Sequence, residues 1–222
     1  MKKLFTLIFA GLLFLLSTQA SFAENKSASL FKGPSFKAQM IESNKANPGV
    51  SKKSEVWMSK HGLRIATGGP GGQKMISLAN IDNNYVLLPK QRKYISTTEI
   101  QQQADRTTIN DGPVNMFSNK PCLGFAKSKM SHVDKVAGRK VTKWYCGTAQ
   151  GLDDTVHYFD ARLQRVIKVE QPDGTVLELV NIEQKPQDRK LFEIPPGYKK
   201  MTFAQMITPP GMNLETFTEE KK

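Results

Sequence analysis

A mainly β protein is the fold class the sequence predicts: an antiparallel sheet or barrel, interrupted once by a helix-and-loop insertion. Three observations predict it. From Ser35 onward, apolar residues alternate with polar ones at period two, as Phe36, Ala38 and Met40 do against Lys37 and Gln39. Clusters of Gly, Pro, Asn and Asp separate these short runs. Only Glu99 to Arg106 is rich in good helix formers. With 222 residues, 39% of them hydrophobic, the chain is too long for a disulfide-framed miniprotein and too apolar for a disordered one.

The N-terminus is an address. Lys2 and Lys3 precede an apolar run from Leu4 to Leu16, and Ser21-Phe22-Ala23 sets small residues at the −3 and −1 positions of a cleavage site. This three-part pattern reads as a secretory signal peptide over residues 1–23, cut between Ala23 and Glu24. The alternative is an uncleaved anchor, for which the run is short against the roughly 20 residues a spanning helix needs. No Cys follows the cleavage site, so no lipid anchor is expected. Residues 24–208 are expected to form one β-barrel domain, and residues 209–222 a mobile tail.

Val56 and Met58 share one side of the strand that follows Phe36–Met40, and Leu63 to Thr67 is the next. Gly68-Gly69-Pro70-Gly71-Gly72 is a turn, because glycine accepts the positive φ angles other residues resist. Met75 to Ala79, Tyr85 to Leu88 and Lys93 to Thr97 continue the strands. Thr97-Thr98 supply caps for a helix over Glu99 to Arg106, and Asp111-Gly112-Pro113 turns the chain. The insertion at 99–125 is thus placed to cross one face of the sheet. Strands resume at Ser131 to Val136, Lys140 to Cys146, Thr155 to Asp160, Arg165 to Gln171 and Thr175 to Glu183. Pro172-Asp173-Gly174 is a hairpin turn in which Pro presets φ and Gly takes the left-handed position.

Export bears on the two cysteines. In an oxidising compartment Cys122 and Cys146 are expected to form a disulfide, with free thiols as the alternative. They enclose 23 residues, a ring worth roughly 3 kcal/mol in chain entropy.

The second half carries a resemblance. Val136-Ala137-Gly138-Arg139-Lys140-Val141 followed by Trp144-Tyr145-Cys146, with Tyr158-Phe159-Asp160 and Arg165 to Lys168, resembles strands of periplasmic proteins of the LolA/LolB-like superfamily. Gly174 to Leu179 and Asn181-Ile182 continue the match, and the closing Phe192-x-Ile194-Pro195-x-Gly197-Tyr198 is its most specific element. Gly62 to Ile65 and Asn84 to Pro89 are similar to its early strands more loosely. The resemblance covers about Ser35 to Met201 and is nearest to uncharacterised members of the superfamily. It implies a mainly β fold, an antiparallel half-open β-barrel with a short helical insertion or lid. In the carrier members that shape holds the acyl chains of lipoproteins. This chain differs from the carriers in its two barrel-region cysteines and its long Gly-rich turn.

The apolar alternation then has two meanings. In a closed, packed barrel Phe36, Met40, Val56, Met58 and Met75 mark the core. In a half-open one the same five line a cavity for acyl chains, a role suited to flexible Met side chains. No catalytic constellation accompanies them. There is no G-x-S-x-G elbow, P-loop or Rossmann fingerprint, and the Gly68–Gly72 cluster lacks the Lys-Ser/Thr that cradles phosphate. His61, His132 and His157 have no metal-ligand spacing, and Asp153, Asp154 and Asp160 sit at strand ends, where Asp makes local turns.

The mature chain carries 30 Lys and Arg against 20 acids, net +10, with a cluster at Lys90-Gln91-Arg92-Lys93. In an exported protein that balance points to an anionic membrane surface or acidic envelope proteins rather than nucleic acid. The expectation is a periplasmic, non-enzymatic protein that binds an amphiphile, lipid or acylated protein, in the concave face, with no metal and no cofactor. The alternative is an envelope interaction or structural factor with a packed barrel and no ligand. An enzyme with a dispersed site at Asp154 or His157 is the third reading.

Overall fold

A computed structural model describes residues 31–69, 72–80, 83–97, 116–148, 155–202 and 205. The leader expected over residues 1–23, the helix expected over Glu99 to Arg106 and the tail expected over residues 209–222 lie outside the described residues. The strands are β1 (Phe36–Asn44), β2 (Asn47–Ser59), β3 (Gly62–Gly68), β4 (Lys74–Asn80), β5 (Asn84–Leu88) and β6 (Lys93–Ser96). After the insertion come β7 (Lys127–Val136), β8 (Arg139–Gly147), β9 (Thr155–Asp160), β10 (Arg165–Glu170), β11 (Thr175–Gln184) and the short β12 (Lys199–Lys200). All twelve form one sheet in the order β12-β6-β5-β4-β3-β2-β1-β11-β10-β9-β8-β7. Its end strands β12 and β7 do not pair with each other, so the sheet is not closed.

The order follows from chain connectivity. Consecutive strands joined by short turns pair as antiparallel hairpins, giving one meander over β1–β6 and another over β7–β11. β1 against β11 joins the two meanders, from Phe36 opposite Gln184 to Asn44 opposite Thr175. The one departure from antiparallel pairing among the described strands is β12, which runs parallel to β6. The segment leading to it packs Phe192 on β3–β5, and Lys199 N then donates to Arg92 O at 2.9 Å beside β6.

Period-two alternation assigns the two faces. Register sets Phe36 beside Met58 and Leu63, and Ala38 beside Val56 and Ile65, on a first face. Leu177, Leu179 and Val169 extend that core, and Phe31, Met116 and Phe117 belong to it. The end of the insertion is held there by backbone bonds: Phe117 N donates to Val166 O at 3.4 Å, and Val166 N to Ser118 O at 3.0 Å. On the second face Ala66, Ile76, Leu78 and Leu87 of β3–β5 bury Phe192, with Trp57 of β2 and Tyr94 of β6 packed against them. Arg64 Nη1 donates to Leu191 O at 3.0 Å, and Asn80 Nδ2 to Phe192 O at 3.3 Å, so polar groups at the rim of this patch fix that segment. Gly197 has φ +79°, and a Cβ there would lie 2.6 Å from Arg92 Nη2. Only glycine closes this turn without moving Arg92.

Boundaries agree with the sequence wherever apolar alternation is clear, and differ where it is not. β2 begins at Asn47, well before Val56. Its first half is mostly exposed; Ser51 to Ser54 are extended because they pair with Met40 to Ser43 of β1, while Pro48 to Val50 fall at a register shift between Ser43 and Asn44. β7 begins at Lys127 rather than Ser131, and nine of its ten residues are exposed. The turn over Pro172 to Gly174 is the one expected. Gly174 has φ +83°, and Thr175 N donates to Asp173 Oδ1 at 2.8 Å.

Candidate functional site

Register places the five apolar candidates on the first face, and four of them, Phe36, Met40, Val56 and Met58, pack in one core cluster. Phe36 and Met40 lie on β1, and Val56 and Met58 on β2. Met75 of β4 stands opposite Thr67, which alternates with Ile65 on the same face. All five are buried, none more than 7% exposed. Among them are polar groups that the sequence did not single out. The Thr67 and Ser77 hydroxyls are buried on this face without a hydrogen-bond partner among the described residues. Leaving a buried hydroxyl unpaired costs about 1–3 kcal/mol.

Arg165 is the largest fully buried side chain among the described residues and also faces this core. Its Nη1 donates to Gln164 O at 2.6 Å, its Nη2 donates to Lys32 O, and its Nε lies 3.3 Å from Met58 Sδ. Burial pushes its guanidinium down to about 10, still charged at neutral pH. The first face is therefore an apolar surface with one buried cation at its margin. A hydrophobic count of the sequence misses that cation, because Arg165 reads as the polar start of a strand.

A cavity of about 640 Å³ opens where the β7–β8 turn meets β1, β2 and β11. Lys37, Gln39, Glu55, Arg139 and Glu183 line it, so it is polar and of mixed charge.

Cys122 and Cys146 are joined by a disulfide with their Cα atoms 5.1 Å apart. Cys146 comes from β8 and Cys122 from the end of the insertion, so the bond ties that segment to the sheet. His157 of β9 completes the cluster. Its Nδ1 accepts from Cys122 N at 3.0 Å, Phe125 meets its ring edge-on, and its Nε2 is buried without a partner among the described residues. The three side chains approach within 4.8 Å, a grouping able to hold a soft metal ion only if the sulfurs were not bonded to each other.

The remaining candidates separate. His132 is exposed beside Asp134, and His61 N donates to Ser59 Oγ in a turn. Asp153 and Asp154 lie outside the described residues. Asp160 is buried and accepts from Arg162 N, Leu163 N and Arg139 Nε, which uses it as a turn-forming group.

Burial without compensation lowers the His157 pKa to about 4 from an ordinary 6.5. Protonation would also turn Nδ1 from acceptor into donor facing the Cys122 N–H. The unfolded chain binds this proton more readily, so the contribution of neutral His157 is complete above pH 6.5 and is lost as pH falls towards 4. Between pH 7 and pH 5 the protein is expected to lose about 2 kcal/mol from this group. Denaturant melts of the native protein and of His157→Asn, whose Oδ1 can replace Nδ1 as acceptor, check this. An unchanged pH slope in the variant would remove His157 from the account.

No protein-family model matches the chain, and no curated protein matches it. Solved structures with a similar chain course include a LolA superfamily protein. That protein, from Nitrosomonas europaea, is 11% identical with a TM-score of 0.33, over 77% of this chain and 98% of its own. An uncharacterized conserved protein from Thermus thermophilus is 10% identical with a TM-score of 0.48, covering 86% of this chain and 98% of that one. The Pseudomonas aeruginosa MucA/MucB complex contains a chain 13% identical with a TM-score of 0.44, over 74% of this chain. The match spans only 57% of that longer chain.

Proposed function

We propose that this chain is a periplasmic, non-enzymatic binding protein that holds an amphiphile, a lipid or the acyl group of a protein, against the first face of its open sheet. The observation that carries the reading is the convergence of Phe36, Met40, Val56, Met58 and Met75 on one face of a sheet with unpaired ends. Thr67 and Ser77 add hydroxyls that have no hydrogen-bond partner among the described residues, suited to the polar end of an amphiphile. The leader read in residues 1–23 supports the compartment, and the excess of bases favours an acidic headgroup.

A second reading is favoured by one observation: all five side chains are buried in this structure, and four share a cluster with Phe31, Met116 and Phe117. In that reading the face is core and the protein acts through its surface.

Native mass spectrometry of the protein from periplasmic extracts, followed by lipid extraction, separates the two. Bound amphiphile is expected, and Val56→Asp should reduce it roughly tenfold or more by placing a charge on the face. Val56 is a better probe than Met58, where a new carboxylate would meet Arg165 Nε. If Val56→Asp fails to fold, Met40→Gln carries the same test. An apo mass with no uptake of added lysophospholipid would sink the binding reading and leave the packed one.

A further inference from the structure

Among the described residues β7 is an end strand of the sheet. It spans ten residues, pairs only with β8 among the described residues, and exposes its first nine. Its outer side therefore presents backbone N–H and C=O groups with no described strand beside them. The register shifts between Met130 and Val133. Met130 stands opposite Trp144 and Val133 opposite Thr142, two residues apart on β8, so the extra residue brings both apolar side chains to one face. They are 52% and 53% exposed. The other face is cationic: Lys129 stands opposite Tyr145, and Lys143 lies 5.3 Å from the centre of the same ring. Over residues 127–147 there are six bases and one acid. Among the described residues, Lys129, Lys135, Lys140 and Lys143 have no ion-pair partner.

We propose that β7 is a docking edge for an extended acidic peptide in which apolar and acidic residues alternate. Added as one more antiparallel strand, its apolar side chains cover Met130 and Val133 while its carboxylates face Lys129 and Lys143. A second copy of this chain is the competing occupant, and charge opposes it. A seam between two such hairpins would set their excess bases side by side, and like charges across paired strands repel. An acidic strand converts the same bases into attraction. This site uses the edge of the sheet and is independent of the amphiphile reading.

The test is binding of a labelled ten-residue peptide alternating Glu and Val to the disulfide-intact protein, read by fluorescence anisotropy and by amide exchange along β7. Binding is expected to slow exchange in β7 and to weaken roughly tenfold or more between low and high salt. A Lys129→Glu/Lys143→Glu variant should weaken it about tenfold or more. A Lys/Val peptide, and a Glu/Val peptide N-methylated on alternate amides, should fail to bind. Equal binding of either control would overturn the proposal, as would no binding of the Glu/Val peptide at about 1 mM. A concentration-dependent dimer lost in Val133→Glu would assign the edge to a second copy and equally overturn it.

Discussion

Asp160→Ala should destabilise the protein by about 4 kcal/mol, the largest loss expected from a single side chain outside the apolar core. Asp160 is 1% exposed and ends β9. One carboxylate oxygen accepts from Arg162 N at 2.8 Å and Leu163 N at 3.0 Å, shaping the tight turn into β10. The other accepts from Arg139 Nε, tying that turn to the start of β8. Alanine leaves two backbone donors without acceptors and a guanidinium without its counter-charge, in a region only partly open to water. Each of those losses costs about 1–3 kcal/mol. Asp160→Asn keeps the oxygen that makes the turn and loses the charge, so about half the effect is expected. For a domain of this size the alanine variant should melt roughly 10 °C lower. Equal melting of Asp160→Asn and Asp160→Ala would refute the turn-forming part of this account.

Removal of the disulfide ranks second. Its cysteines are 24 positions apart, and opening a ring of that size costs about 3 kcal/mol in the chain-entropy account. The bond also holds the end of the insertion, with Met116 and Phe117, against the first face. Cys122→Ala/Cys146→Ala should therefore melt about 6–12 °C lower than the oxidised protein. The Cys122 N–H to His157 Nδ1 bond lies in the same segment. If the loss acts there, amide exchange should quicken first over residues 116–125. Coincident denaturant curves for oxidised and reduced protein would show that packing alone holds the segment.

Much of the fold was legible because its signals are local. β3, β4, β5, β9 and β10 fall within one residue at each end of the runs marked by alternation and turn residues. Pro172-Asp173-Gly174 could be read as a hairpin because the φ preferences of Pro and Gly belong to those residues themselves. The five apolar candidates share a face for the same reason: period two assigns sides along one strand, and antiparallel pairing carries the assignment to the next.

The sequence by itself thus determined the fold class, most strands and turns, the pairing of Cys122 with Cys146, and which apolar residues would lie together. Tertiary structure decided the rest. It extended β2 over Ser51 to Ser54 and β7 through Lys127, because a neighbouring strand satisfies backbone groups that no side-chain pattern announces. It carried Phe192 to the second face and set β12 parallel to β6. It buried Arg165 beside Met58, more than a hundred positions away in the chain, and placed His157 against the disulfide. Each of these depends on which distant segments meet. That is fixed by the joint burial of both partners, which no window along a single chain contains.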